Sequence, residues 1–217
     1  MSDGLFYLSG GDFLSMRVAA YDAEQVLQEL VESHPDLLAG GQMTPSDPRR
    51  WLLVKREHSV PDSQVSAGRW SVDHLFVDQD AVPTLVEVKR STDTRIRREV
   101  VGQMLDYAAN GVRFWPASAL QAAFESTQQA AGSDPAIAVA ELRDTAVASV
   151  EAFFDEVETN LRAGRIRLVF VADKIPDELR TIVEFLNEQM SQTEVYAIEI
   201  KQYRADGRAT TSLSSPR

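Results

Sequence analysis

A chain of 217 residues and 24.1 kDa can bury a core of its own, so one domain is expected, and any bound metal serves chemistry rather than folding. The absence of cysteine excludes a disulfide framework, a thiolate zinc site and a cysteine nucleophile, and makes a soluble, cytoplasmic protein the expectation. The net charge of −11 argues against a general nucleic-acid coat, but it is uneven: Lys89, Arg90, Arg95, Arg97 and Arg98 fall within ten residues, whereas acids crowd 141–158.

The N-terminus, MSDGLFYLSGGDFL, lacks the basic start and apolar core of a secretory signal, and no apolar run approaches the ~20 residues of a membrane span. Residues 5–8 and 13–20 read as strands about a Gly10-Gly11-Asp12 turn. A helix follows, with Asp22 as N-cap and Leu27, Leu30 and Val31 on one face, stopping near His34-Pro35. Residues 40–49 read as a loop, 51–55 as a strand and 61–68 as turns. The runs 70–77 and 82–89, rich in Val, Leu and Phe and separated by Asp78-Gln79-Asp80-Ala81, predict a hairpin. Ile96, Val100, Met104, Tyr107 and Ala108 recur at helical spacing, and that helix is expected to end near Asn110-Gly111. Its interior Gly102 suggests close packing.

Residues 117–162 predict two helices broken at Gly132-Ser133-Asp134-Pro135, the second with an acidic solvated face and Val147, Val150, Phe153, Phe154 and Val157 buried. Residues 166–203 read as strand–helix–strand, with Pro176 at the first helical position; whether the two strands are parallel neighbours rests on the helix crossing over. The small, polar stretch 205–217 reads as a disordered tail. The fold class is α/β: a mixed central sheet built on the 51–89 strands, flanked by the 22–34 and 94–110 helices and extended by 166–203, within a single domain over 1–204.

The hairpin carries the chemistry. In Leu85-Val86-Glu87-Val88-Lys89 the strand period of two projects Glu87 and Lys89 together and sends Val86 and Val88 to the other face. A hairpin turning symmetrically about Asp80 sets Asp73 opposite Glu87; a bulge at the turn would shift that register by one. Two carboxylates so close repel unless a cation sits between them or one is protonated. A divalent metal resolves the conflict, and hard oxygen donors without a histidine cluster point to Mg²⁺ or Mn²⁺. Lys89 would orient or deprotonate a water, or stabilise charge at phosphorus. His74, pointing the other way, reads as a core or supporting histidine, and Trp51, Trp70 and Trp115 as core.

These residues resemble the PD-(D/E)XK restriction-endonuclease-like superfamily, in which an aspartate on one strand precedes (D/E)-X-K on the next; here they are Asp73 and Glu87-Val88-Lys89, with Val72 where the motif's proline would stand. Gln103-Met104-Leu105-Asp106-Tyr107 is similar to the Q-x-x-x-Y element of the RecB-like branch. Glu24, on the buried side of the first helix, matches the auxiliary metal-ligating glutamate of many relatives. The resemblance covers about 22–110, the catalytic core, with 166–203 completing the sheet and 112–163 a helical insertion.

It implies Mg²⁺- or Mn²⁺-dependent hydrolysis of phosphodiester bonds, most readily in DNA. Asp73, Glu87, Glu24 and the Val88 carbonyl would bind metal, with Lys89 serving the water and Gln103 and Tyr107 positioning the site. Arg90, Arg95, Arg97 and Arg98 would contact phosphate. A homodimer is open, and a membrane partner is not expected. The rival readings are a nuclease-fold module that binds nucleic acid or protein without cutting, which fits the acidic charge, and a scaffold acting through 112–163.

Overall fold

The structure, a computed structural model, describes residues 5–9, 12–60, 70–93, 99–205 and 208–214. Its strands are β1 (Leu5–Ser9), β2 (Asp12–Ala19), β3 (Leu52–Val60), β4 (Trp70–Val77), β5 (Pro83–Lys89), β6 (Arg167–Ala172), β7 (Glu194–Ala205) and β8 (Arg208–Ser214). The helices among the described residues are α1 (Glu24–Ser33), α2 (Gly40–Met43), α3 (Glu99–Phe114), α4 (Ala117–Ala130), α5 (Pro135–Arg143), α6 (Val150–Arg162) and α7 (Asp177–Gln189), with a 3₁₀ turn at Pro35–Leu38. The sheet runs β1-β2-β7-β6-β5-β4-β3, and β8 pairs with β7 off this path. It is mixed: β5–β6 and β6–β7 are parallel, the other pairs antiparallel. The architecture is therefore α/β, and α7 crosses over between two parallel neighbours.

Helices cover both faces. On one, Leu27 and Val31 of α1, with Leu38, pack on Phe76, Val86, Val88, Val169, Val171, Ile198 and Ile200. On the other, α3 to α7 bring Met104, Tyr107, Phe124, Phe153, Phe154, Leu179 and Val183 onto Leu75, Leu85, Leu168, Phe170 and Ala197. Complete burial of Leu27 and Val31 contributes about 1.5–3 kcal/mol each as an upper bound, enough to hold the ten-residue α1 that propensity alone would leave marginal. Covered on both faces and paired on both edges, β5 is buried at every position. Its polar residues Thr84, Glu87 and Lys89 are consequently dry, which a strand with one wet face would not impose.

Several expectations are corrected. Asp22 does not cap α1; Ala23 holds that place with no side-chain bond, and Asp22 pairs with Arg204 at 2.7 Å. The 40–49 loop includes the short α2. The third strand extends to Val60 rather than ending at 55. Gly111 does not stop α3, which runs on to Phe114, because Gly111 is pressed against the indole of Trp115, 2.7 Å from where a Cβ would stand. Gly102, by contrast, is exposed and a Cβ there would meet nothing within 4 Å, so it is not a packing glycine.

The 117–162 region holds three helices. Asp134 caps the second through Ala136 and Ile137 N–H, and Asp144, left-handed at φ 55°, ends it. Val147 falls in the connection that follows and is 86% exposed rather than buried. Pro176 is the N-cap of α7, one place earlier than expected. Arg208–Ser214 pairs along β7 from Arg208 opposite Ala205 to Ser214 opposite Glu199, so the disordered tail is corrected there. Among the described residues, no helix is long and apolar enough to cross a membrane.

Candidate active site

The β4–β5 ladder pairs Val77 with Pro83, Phe76 with Thr84, Leu75 with Leu85 and His74 with Val86 without a slip. Ala81, at φ 58°, absorbs the turn, so no bulge displaces the register. The paired ladder ends at His74 and Val86, with Asp73 and Glu87 the residues just beyond it. There Asp73 uses its carboxylate on the partner strand, accepting the Val88 N–H at 2.8 Å.

Four oxygens surround the Lys89 ammonium. Its Nζ lies 2.9 Å from Glu87 Oε1, 3.1 Å from Glu24 Oε1, 3.5 Å from Asp73 Oδ2 and 2.8 Å from the Val88 carbonyl oxygen. These are the four groups the sequence nominates as metal ligands, gathered from α1, β4 and β5. Glu24 reaches them from the first turn of α1, close to the carboxyl end of β5. Glu87 is 2% exposed, and its second oxygen, Oε2, has no hydrogen-bond partner. A buried, unpartnered carboxylate oxygen is costly unless another group engages it.

Electrostatics follow from this crowding. Burial, reinforced by Asp73, pushes the Glu87 carboxyl up to about 7 against the opposing pull of Lys89. Burial works against the Lys89 ammonium, but Asp73, Glu87 and Glu24 outweigh it and raise its pKa above the usual lysine value. Tyr107 is buried in α3, where burial raises its phenol and the Glu87 and Asp73 charges add to the effect; Gln103 donates its amide N–H to the phenol oxygen. Gln103 and Tyr107 thus form one unit on the α3 face turned toward the carboxylates.

Comparison with known proteins finds no matching family model, curated protein or solved structure. The site therefore stands on its own geometry. Among the described residues no group of three or more His, Asp or Glu side chains is gathered as a metal site, and the ammonium of Lys89 is what the three carboxylates share.

Other expected residues divide. Arg90 is half-buried and donates to the Asp22 carbonyl at 3.2 Å, which ties the strand end after Lys89 to the start of α1. Arg95, Arg97 and Arg98 lie outside the described residues. His74 is fully buried on the opposite face, 5.8 Å from the Phe76 ring, and burial lowers its pKa to about 4. Trp51 and Trp115 are buried, whereas the Trp70 side chain is not described.

Two features escaped sequence reading. Asp173, the residue after β6, accepts the Ser91 N–H at 2.6 Å and fixes the chain just beyond Lys89; an acid at the end of an apolar strand was the available signal. At the other end of β5, Asp78 is wholly buried between Arg167 at 2.6 Å and Arg49 at 3.5 Å. Its Oδ1 accepts the N–H groups of Asp80 and Val82 at 3.0 and 2.9 Å, bracing the turn between β4 and β5. Arg49 and Arg167 come from distant segments, so no local pattern announces the cluster.

Proposed function

We propose that this chain is a metal-dependent phosphodiesterase of the restriction-endonuclease-like type, acting on DNA. The observation that carries the reading is the convergence of Glu24, Asp73, Glu87 and the Val88 carbonyl on the ammonium of Lys89, beside the unpartnered Glu87 Oε2. Four hard oxygens from three elements fit Mg²⁺ or Mn²⁺, and three carboxylates around one ammonium leave negative charge for a divalent ion to balance. Bound there, such an ion supplies polarisation of a scissile phosphate and a water acidic enough to attack at neutral pH. Glu24, Asp73 and Glu87 would hold it. Lys89, tethered within reach of the same oxygens, would face the charge developing at phosphorus. The Gln103–Tyr107 pair would fix the α3 side of the pocket, and Arg90 would neutralise a flanking phosphate.

Single-stranded, double-stranded and branched DNA incubated with Mg²⁺ or Mn²⁺ should be cut by the wild type. Asp73→Ala and Lys89→Ala should abolish cutting while circular dichroism stays unchanged; cleavage that persists in both variants rejects the assignment.

A second reading keeps the fold and drops the cleavage. It is favoured by the net charge of −11 and by an ammonium that already pairs with all three carboxylates. Nucleic-acid or protein binding without affinity for either metal would mark it.

A further inference from the structure

The two ends of the sheet are finished differently. At the β3 end, side chains of the following helical region cover the edge: Thr127 Oγ1 donates to the Val54 carbonyl at 2.7 Å and Trp115 Nε1 to the Ser59 carbonyl at 3.1 Å. At the other end β1 has, among the described residues, only β2 as a neighbour, so a row of backbone N–H and C=O groups faces outward. Such an edge pairs readily with another strand unless charge, proline or a cover prevents it.

Among the described residues, none of these protects β1. Leu8 stands opposite Phe13 and Phe6 lies two residues along on the same face, with exposures of 58, 73 and 62%. The other face adds Tyr7 at 48%, Leu5 at 37% and Val18 at 63%. At ~200 Å² per aromatic ring, Phe6, Leu8 and Phe13 present roughly 350 Å² of apolar surface on one face, within the ~300–600 Å² of the largest patch on a typical monomer, and the opposite face adds roughly 250 Å². The backbone of the edge strand adds to it.

Charge selects the occupant. Between residues 5 and 20 the only charged side chains are Asp12 and Arg17, which cancel, on a chain of net charge −11. Two copies repel each other wherever their acidic surfaces meet, and least where this neutral hairpin faces its own image. An antiparallel edge strand pairs with itself about a two-fold axis, so the contact closes at two copies.

We propose that the β1–β2 hairpin is a homodimer interface, with β1 pairing antiparallel to β1 of a second copy so that Phe6, Leu8 and Phe13 of both chains form one apolar face. The interface is independent of the nuclease reading. Sedimentation velocity on the full chain should give a mass near twice the 24.1 kDa of one chain. The double variant Phe6→Asp, Phe13→Asp should sediment as a single chain with unchanged circular dichroism. Phe185→Asp, altering an exposed phenylalanine on α7, should leave the dimer intact. Hydrogen exchange on the wild type gives a measure free of folding defects: Leu5–Ser9 amides should lose protection on dilution. A wild type that is monomeric at every concentration, open-ended assembly instead of a dimer, or a dimer dissolved by Phe185→Asp but not by the hairpin variant would overturn the proposal. In the first case the hairpin serves a different protein.

Discussion

Replacing Asp78 by alanine removes a carboxylate with no solvent exposure that engages Arg167 at 2.6 Å, Arg49 at 3.5 Å and two turn N–H groups. Arg49 keeps Asp47 and Asp80, and Arg167 keeps Glu194, but those carboxylates are about half exposed and hold the guanidiniums only from the solvent side. Breaking a buried pair by deleting one partner costs about 3–5 kcal/mol, much of it from the charge left behind. In a domain of this length each kcal/mol lowers the melting temperature by about 2–4 °C, so Asp78→Ala should melt roughly 6–20 °C below wild type. Asp78→Asn keeps an acceptor for the turn N–H groups and should lose about 1.5–3 kcal/mol, the value of hydrogen bonds to a charged partner. Urea denaturation followed by circular dichroism measures both. A loss below about 1 kcal/mol for Asp78→Ala would refute the argument that this buried cluster braces the hairpin.

Gly102→Ala should raise stability by about 0.5–1 kcal/mol, since the position is an exposed helix interior with open space for a Cβ; thermal melting checks it, and a lower melting temperature would show that the glycine is needed. His58, its ring tilted against that of Trp115 with centroids 5.1 Å apart, is held to a pKa of about 4 by burial, with Lys55 adding to the effect. The unfolded chain therefore takes up this proton near pH 6.5 and the folded one only near 4, so stability is full above pH 6.5 and falls as the solution is acidified. The fall attributable to His58 is at most about 2 kcal/mol between pH 6.5 and 5 and smaller in practice, because the ring is partly exposed. His58→Phe should flatten this slope in urea titrations; an unchanged slope would contradict the burial argument.

The hairpin was legible because two local rules agree: alternation placed Glu87 with Lys89, and the short turn set a slip-free β4–β5 register that leaves Asp73 and Glu87 just beyond its last pair. Helical spacing likewise set Gln103 and Tyr107 on one face and turned Glu24 toward the core. The depth of burial was not legible. Glu87-Val88-Lys89 reads as a strand with one solvated side, and only the coverage of β5 by helices on both faces makes those charges dry. The convergence of Glu24 on Lys89 depends on α1 starting beside the carboxyl end of β5, which is tertiary information. Boundaries failed where a local signal met a stronger packing demand: Gly111 resembles a helix stop but is small because Trp115 lies on it. The final strand was missed because Ser and Thr suggest a loop, although the open length of β7 offered them a ladder.

The central claim is that Glu24, Asp73 and Glu87 form a divalent-metal site. Titrating Mn²⁺ into the wild-type chain by calorimetry, with Asp73→Ala alongside, tests it without requiring a substrate. Saturable Mn²⁺ binding by the wild type that is lost in Asp73→Ala is the result predicted; no binding by the wild type, or equal binding by both, would contradict it.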